Sequence, residues 1–167
     1  GKLKILNPKK FKYSLIKQKM IKLKIKDLQN KNLLSDKVAV SASLIAKDNK
    51  IRKLVRSFQK KYAYNPPKKY KGSILDGRDI GTVIMKDAMF KFFITASIKT
   101  RATRRYKEYK RLNKKISYNE VLKSIKKRDK SDMQRKFGKL KKTKESILIN
   151  TDKLSKRACF LKIKHIM

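Results

Sequence analysis

Apolar and lysine residues alternate from Met20 to Leu28, with Ile21, Leu23 and Ile25 separated by Lys22, Lys24 and Lys26. This two-residue period predicts a half-buried strand. A fainter strand signal, Leu3-Lys4-Ile5-Leu6, lies in the very basic opening. Ser35 or Asp36 is a candidate N-cap for a helix to Ala46. Ile51, Leu54, Val55, Phe58 and Tyr62 then recur at helical spacing and form one apolar stripe, ended by Asn65-Pro66-Pro67. Ser73–Leu75 predicts a short buried strand stopping at the Asp76-Gly77 turn, and Val83–Met85 a short extended piece. Phe90–Ala96 is a strongly apolar, aromatic run suited to the middle of a sheet. Ser97 predicts the N-cap of a long basic helix to Leu112, and Ser117-Tyr118-Asn119-Glu120 is a capping box opening a helix to Arg128. The polar, glycine-interrupted stretch Asp129–Thr143 predicts a mobile flap, Ile147–Ile149 a last buried strand, and Leu154 to Met167 a closing helix. Alternating strands and helices predict an α/β fold, a parallel sheet with helices on both faces.

At 167 residues the chain fits one domain with a proper core. A single cysteine, Cys159, excludes an internal disulfide and a cysteine-rich zinc site. The lone histidine, His165, excludes histidine metal clusters and Ser-His-Asp triads. No apolar run reaches transmembrane length, so the expectation is a soluble protein of a reducing compartment, with no membrane partner. The net charge is +38, from 50 Lys+Arg against 12 Asp+Glu. Such an excess attracts polyanions. The basic residues are mostly lysines scattered beside Ile and Asn, a pattern that also follows from AT-rich codons. Arginines are scarce and clustered, and their forked donors suit phosphate better, so their positions are the more informative.

Two clusters stand out. In Ile74-Leu75-Asp76-Gly77-Arg78-Asp79-Ile80-Gly81-Thr82, a turn presents an adjacent cation and anion at the carboxyl end of the predicted strand, where open α/β sheets bind ligands. The second, R-D-x-x-D-x-x-R, comprises Arg128-Asp129, Asp132 and Arg135; on a helix end Arg128, Asp132 and Arg135 share a face and can converge on one ligand.

The order of these pieces resembles one family. An S-A-S stretch around Ser43 is followed by Arg52, D-G-R-D-I-G-T, A-S-x-x-x-R-A-x-R-R, the capping box, R-D-x-x-D-x-x-R and I-x-T-x-x-L-S. This succession, from about Ile21 to the end, resembles bacterial-type cytidylate kinase, the (d)CMP kinase of the nucleoside-monophosphate kinase fold. The resemblance implies an incomplete version of that fold: residues 1–35 as a basic segment and part of the small nucleotide-binding insert, residues 36–167 as core and lid. It implies transfer of the γ-phosphoryl group of ATP, with Mg2+, to CMP or dCMP, by a cytoplasmic monomer. Ser43, Arg52 and Asp79 would hydrogen-bond the cytosine edge, Arg78 and Arg135 would clamp the CMP phosphate, and Arg128 and Asp132 would hold the sugar hydroxyls. Arg104 and Arg105 would be lid arginines facing the ATP phosphates and, with Arg135, the catalytic set.

The sequence departs from the family pattern where that pattern has a strand running into G-x-x-G-x-G-K-G-T, the glycine-rich loop that cradles ATP phosphates. Only five glycines occur, and Gly1-Lys2 has no companions. Without this loop the chain is expected to bind CMP weakly and catalyse poorly, and loss of the loop's strand is expected to expose two strand edges. Lys86 and Lys139 stand where the family has prolines, and Asn150 where it commonly has aspartate. Two readings follow. In one, the sequence is an N-terminally incomplete stretch of a working kinase. In the other, it is a degenerate kinase retained as a basic RNA-binding component of a ribonucleoprotein such as a mitochondrial ribosome, in the mitochondrial matrix. The full CMP-side set, which packing alone does not require, favours the first; the charge favours the second.

Overall fold

The computed structural model describes residues 13–23, 27, 30, 33, 38, 48–134, 136 and 138–167. These fall into two compact units, residues 1–74 and 75–167. Apart from Val38, the helix expected over 35–46 lies outside the described residues, as do the weak strand at 3–6, Ser43 and Arg135.

In the first unit, α1 (Tyr13–Ile21) packs on α2 (Asn49–Tyr64). Met20 and Ile21 close α1, which corrects the start of the strand expected over Met20–Leu28; residues 24–26 and 28 lie outside the described residues. Ile16, Met20 and Leu23 are spaced four and three residues apart, and this helical stripe outweighs the shorter alternation. Met20, Ile21 and Leu23 meet Leu54, Phe58 and Tyr62 of α2 around a cavity of about 200 Å³. The Tyr62 hydroxyl donates to the Leu23 carbonyl at 3.4 Å. Asp48 caps α2 by accepting from the backbone N–H groups of Lys50 and Ile51 at 2.8 and 3.2 Å. Asn65 ends the helix before the two prolines, as the pattern predicts.

The second unit holds a two-stranded parallel sheet, β1 (Phe92–Thr95) beside β2 (Ile147–Asn150), with Phe92 opposite Ile147 and Thr95 opposite Asn150. Parallel strands need a long crossover, here α3 (Ile98–Arg111) and α4 (Tyr118–Gln134), which pack on each other; α5 (Lys156–Ile166) closes the chain. Three hydroxyl caps start these helices, the expected ones at Ser97 and Ser117 and a further one at Ser155. Ser97 and Ser155 accept from the N–H groups of Thr100 and Ala158, and Ser117 exchanges bonds with Glu120 in the capping box. Receiving the Ser117 N–H and hydroxyl holds the Glu120 carboxyl below its ordinary pKa. Ala102, Val121, Ile84 and Ile149 form the buried centre.

Four expectations change. Residues 73–75 are not a strand: Ile74 is 93% exposed, and Ser73 donates its hydroxyl to the Ala63 carbonyl at 2.7 Å. A lone extended segment without a paired neighbour gains no ladder bonds. Val83–Met85 is not extended either. The chain enters a π-helical turn, Ile80–Ile84, in which Val83 and Ile84 N–H groups return to the Asp79 carbonyl and Ile84 is buried. Helix α4 continues through Asp129–Gln134, where a flap was expected, because no breaker intervenes before Gly138, whose φ is 64°. Finally, both strands are largely uncovered. Ile94 and Leu148 are about half exposed and only Ile149 is fully buried, since a two-stranded sheet has no middle. The parallel α/β character is present in small form; a sheet covered on both faces is not.

Truncating Ile149, at 0% exposure, to alanine should cost about 2–5 kcal/mol. Leu148→Ala, on the open face, should cost under about 1 kcal/mol. Urea unfolding of the two variants checks the contrast.

Candidate functional site

The Asp76–Asp79 turn and the C-terminal half of α4 meet in the second unit. The turn is tight at Gly77: a Cβ there would lie 2.9 Å from Ile80 Cγ1, so a larger residue would displace Ile80. Arg78 leaves this turn and donates Nε–H to Asp132 Oδ2 at 2.7 Å. One helical turn before Asp132, Arg128 brings its Nε to 3.9 Å of the same oxygen. Asp132 is only 14% exposed, against 39% for Arg78 and 69% for Arg128. Two guanidiniums thus converge on one shielded carboxylate. Beyond Nε, each carries a pair of NH2 groups in the fork geometry that suits phosphate, and the carboxylate is an acceptor for hydroxyl groups.

This arrangement is braced from behind by a residue to which the sequence reading assigned no role. Arg101 on α3 donates Nη1 and Nη2 to the two oxygens of Asp129 at 2.8 and 2.7 Å, and its Nε to the Ala96 carbonyl at 3.0 Å. One guanidinium therefore ties the end of β1, α3 and α4 together next to Arg128 and three residues before Asp132. The Asp129 hydrogen bonds raise the Arg101 pKa further, against the opposing effect of burial. The R-D pair carries the signal: its arginine turns to Asp132 and its aspartate to Arg101. Leu140 N–H donates to the Asp132 carbonyl at 2.9 Å, folding the chain back over the end of α4.

The other sequence-derived residues are placed as follows. Asp79 sits at the start of the π-helical turn without capping it. Arg104 donates to the Thr151 hydroxyl at 3.1 Å and to the carbonyls of Thr151 and Leu154, joining α3 to the segment after β2. Arg105 pairs with Glu108 at 2.8 Å and lies 4.6 Å from the centre of the Tyr109 ring. Arg52 lies in the first turn of α2, in the first unit. Asp152, beyond β2, accepts the Ser97 N–H at 2.8 Å. Bonds from Thr100 and Ser97 lower its pKa to about 2.

A family model described as cytidylate kinase matches residues 4–166. A cytidylate kinase of Bartonella bacilliformis is 39% identical over 135 residues, 80% of this chain and 61% of the relative. One from Clostridium botulinum is 48% identical over 111 residues, 66% of this chain and 49% of the relative. One from Bartonella tribocorum is 40% identical over 128 residues, 77% and 58% respectively. The chain spans about half to three-fifths of the length of these curated relatives.

Arg101→Ala removes three hydrogen bonds. It should destabilise the second unit by about 1–2 kcal/mol, a figure discounted for partial exposure; chemical unfolding monitored on α3–α4 reads it. Asp152 titrates lower in the folded chain than its ordinary 3.8. The folded state therefore binds fewer protons, and the associated stability is present above about pH 4 and lost as pH falls towards 2. Asp152→Asn should flatten this acid limb, and an NMR titration of the Asp152 carboxyl should place its midpoint near 2.

Proposed function

Since the chain belongs to the cytidylate kinase family, we propose that its second unit forms the acceptor side of a (d)CMP kinase, the side that binds CMP or dCMP. The observation that carries this reading is the meeting of Arg78 with Asp132 and Arg128, from two motifs 54 residues apart. In a chain with so few acids, a shared carboxylate under two guanidiniums has a use beyond packing. It orients both arginines, Arg78 towards the 5′-phosphate and Arg128 towards the ribose, whose hydroxyls Asp132 and Arg128 hold. Arg135 adds to the phosphate clamp, and Asp79 reads the cytosine edge. A site of buried, partnered polar groups selects its base strongly, because the wrong base leaves donors and acceptors unpaired.

ATP with Mg2+, the donor the family uses, fits the described residues poorly. Arg104 and Arg105 are engaged by Thr151, Leu154 and Glu108, and no three metal-ligating side chains gather among the described residues. No glycine-rich phosphate loop occurs in the sequence. The chemistry proposed for these residues is therefore acceptor binding and orientation, by a protein of the cytoplasm.

The +38 charge supports a second reading, a basic component bound to ribosomal or other structured RNA, in the mitochondrial matrix if the ribosome is mitochondrial. Its affinity would fall steeply with salt, and it has no use for the Arg78–Asp132–Arg128 arrangement.

Calorimetric titration with CMP and cytidine separates the contributions. Arg78→Ala should weaken CMP by about tenfold or more and leave cytidine nearly unchanged, the signature of a lost phosphate contact. Asp132→Asn should weaken both. Unchanged CMP affinity in either variant would remove the assignment.

A further inference from the structure

A second basic region lies at the other end of the same strands. Gly81, Thr82, Lys86, Lys91, Lys141, Lys142, Thr143, Lys144 and Glu145 line a cavity of about 530 Å³ in the second unit. Lys91 immediately precedes β1 and Glu145 lies two residues before β2. Because the strands are parallel, both stand at their amino ends. Arg101 and Arg104 bind instead at the carboxyl ends, through Ala96 and Thr151.

The walls of this cavity are held in place. The Ile147 N–H donates to the Lys91 carbonyl at 2.8 Å, continuing the β1–β2 ladder into the cavity wall. A Cβ on Gly81 would lie 3.6 Å from Lys91 Cδ, so the lysine stem runs along the glycine. Lys91 is only 12% exposed, and its Nζ reaches Glu145 at 3.6 Å. Thr143 and Ser146 share a hydroxyl bond of 2.7 Å that closes the turn carrying Lys144 and Glu145.

Charge is concentrated here. Five lysines share one carboxylate, and that carboxylate is 69% exposed. Lys91 is shielded, whereas Lys86, Lys141, Lys142 and Lys144 are exposed around it; like charges gathered about one concave surface raise a positive field that a bound anion relieves. The volume falls within the range of small-ligand sites. Ammonium groups bind phosphate as point charges, while the Thr82 hydroxyl is held by the Asp79 carbonyl and the Thr143 hydroxyl by Ser146. Among the described residues no aromatic ring lines the cavity to stack a base.

We propose that this cavity binds a phosphate-dense small anion, an oligophosphate chain such as inorganic tripolyphosphate, recognised without any base. The proposal rests on the cavity alone and is independent of the CMP reading. It is tested by calorimetric titration of the full chain with tripolyphosphate, with orthophosphate and a short oligouridine as comparisons. One equivalent of tripolyphosphate should bind, more tightly than orthophosphate. Lys91→Met and the exposed Lys142→Ala should each weaken it by about tenfold, whereas Lys162→Ala on α5 should leave it unchanged. Lys142→Ala, at a solvent-facing position, keeps the test valid should Lys91→Met fail to fold. Binding of many equivalents, or equal losses in Lys142→Ala and Lys162→Ala, would reduce the effect to general charge attraction and overturn the proposal. Oligouridine binding that outcompetes tripolyphosphate and depends on Lys142 would overturn it in favour of a nucleic-acid groove.

Discussion

The second unit depends on a few carboxylates placed among many cations. Asp129 receives both arms of Arg101, Asp132 receives Arg78 and approaches Arg128, and Asp152 receives the turn that starts α3. The apolar centre is small, with Ile84, Ala102, Val121 and Ile149 its fully buried members. Directional, charge-assisted bonds therefore carry an unusual share of the work of fixing α3 and α4 to the strand ends. With 12 acidic residues against 50 basic ones, carboxylates are scarce, and Asp129, Asp132 and Asp152 each join two elements of this unit.

The same scarcity connects stability to the candidate site. Asp129 and Asp132 lie on successive turns of one helix and receive arginines from different places, α3 and the Asp76–Asp79 turn. The Arg101–Asp129 bond and the Arg78–Asp132 bond are neighbours on α4, so the first fixes the helix on which the second stands. This accounts for α4 remaining helical through Gln134: its last turns carry the residues to which the other elements are tied.

Within the family the acceptor nucleotide must be gripped by fixed donors before phosphoryl transfer, a reaction governed by positioning and charge. The Arg78–Asp132–Arg128 cluster suits that task, since the carboxylate both orients the guanidiniums and offers an acceptor for hydroxyls. The lysine-lined cavity at the opposite strand ends differs in kind. It has flexible point charges in place of forks, and one exposed carboxylate in place of a shielded one.

Local chemistry along the chain was enough to place α2 by its apolar stripe and its two-proline stop, α3 and α4 by Ser97 and the Ser117–Glu120 box, and α5 as the closing helix; the Asp48 and Ser155 caps emerged with the structure. The two motifs were legible for the same reason, as charged residues at fixed spacings beside a glycine turn. Strands were less legible, since a strand's state depends on a neighbour remote in sequence. Phe92–Thr95 and Ile147–Asn150 found each other, whereas Ser73–Leu75, equally apolar, found no partner and stayed irregular. Tertiary structure alone decided that Arg101 belongs to Asp129, that Arg104 turns to Thr151, and that five lysines from separate segments share one cavity wall. Such pairings follow from which surfaces the packing brings together, and a spacing rule reaches only as far as the helix or turn on which it is written.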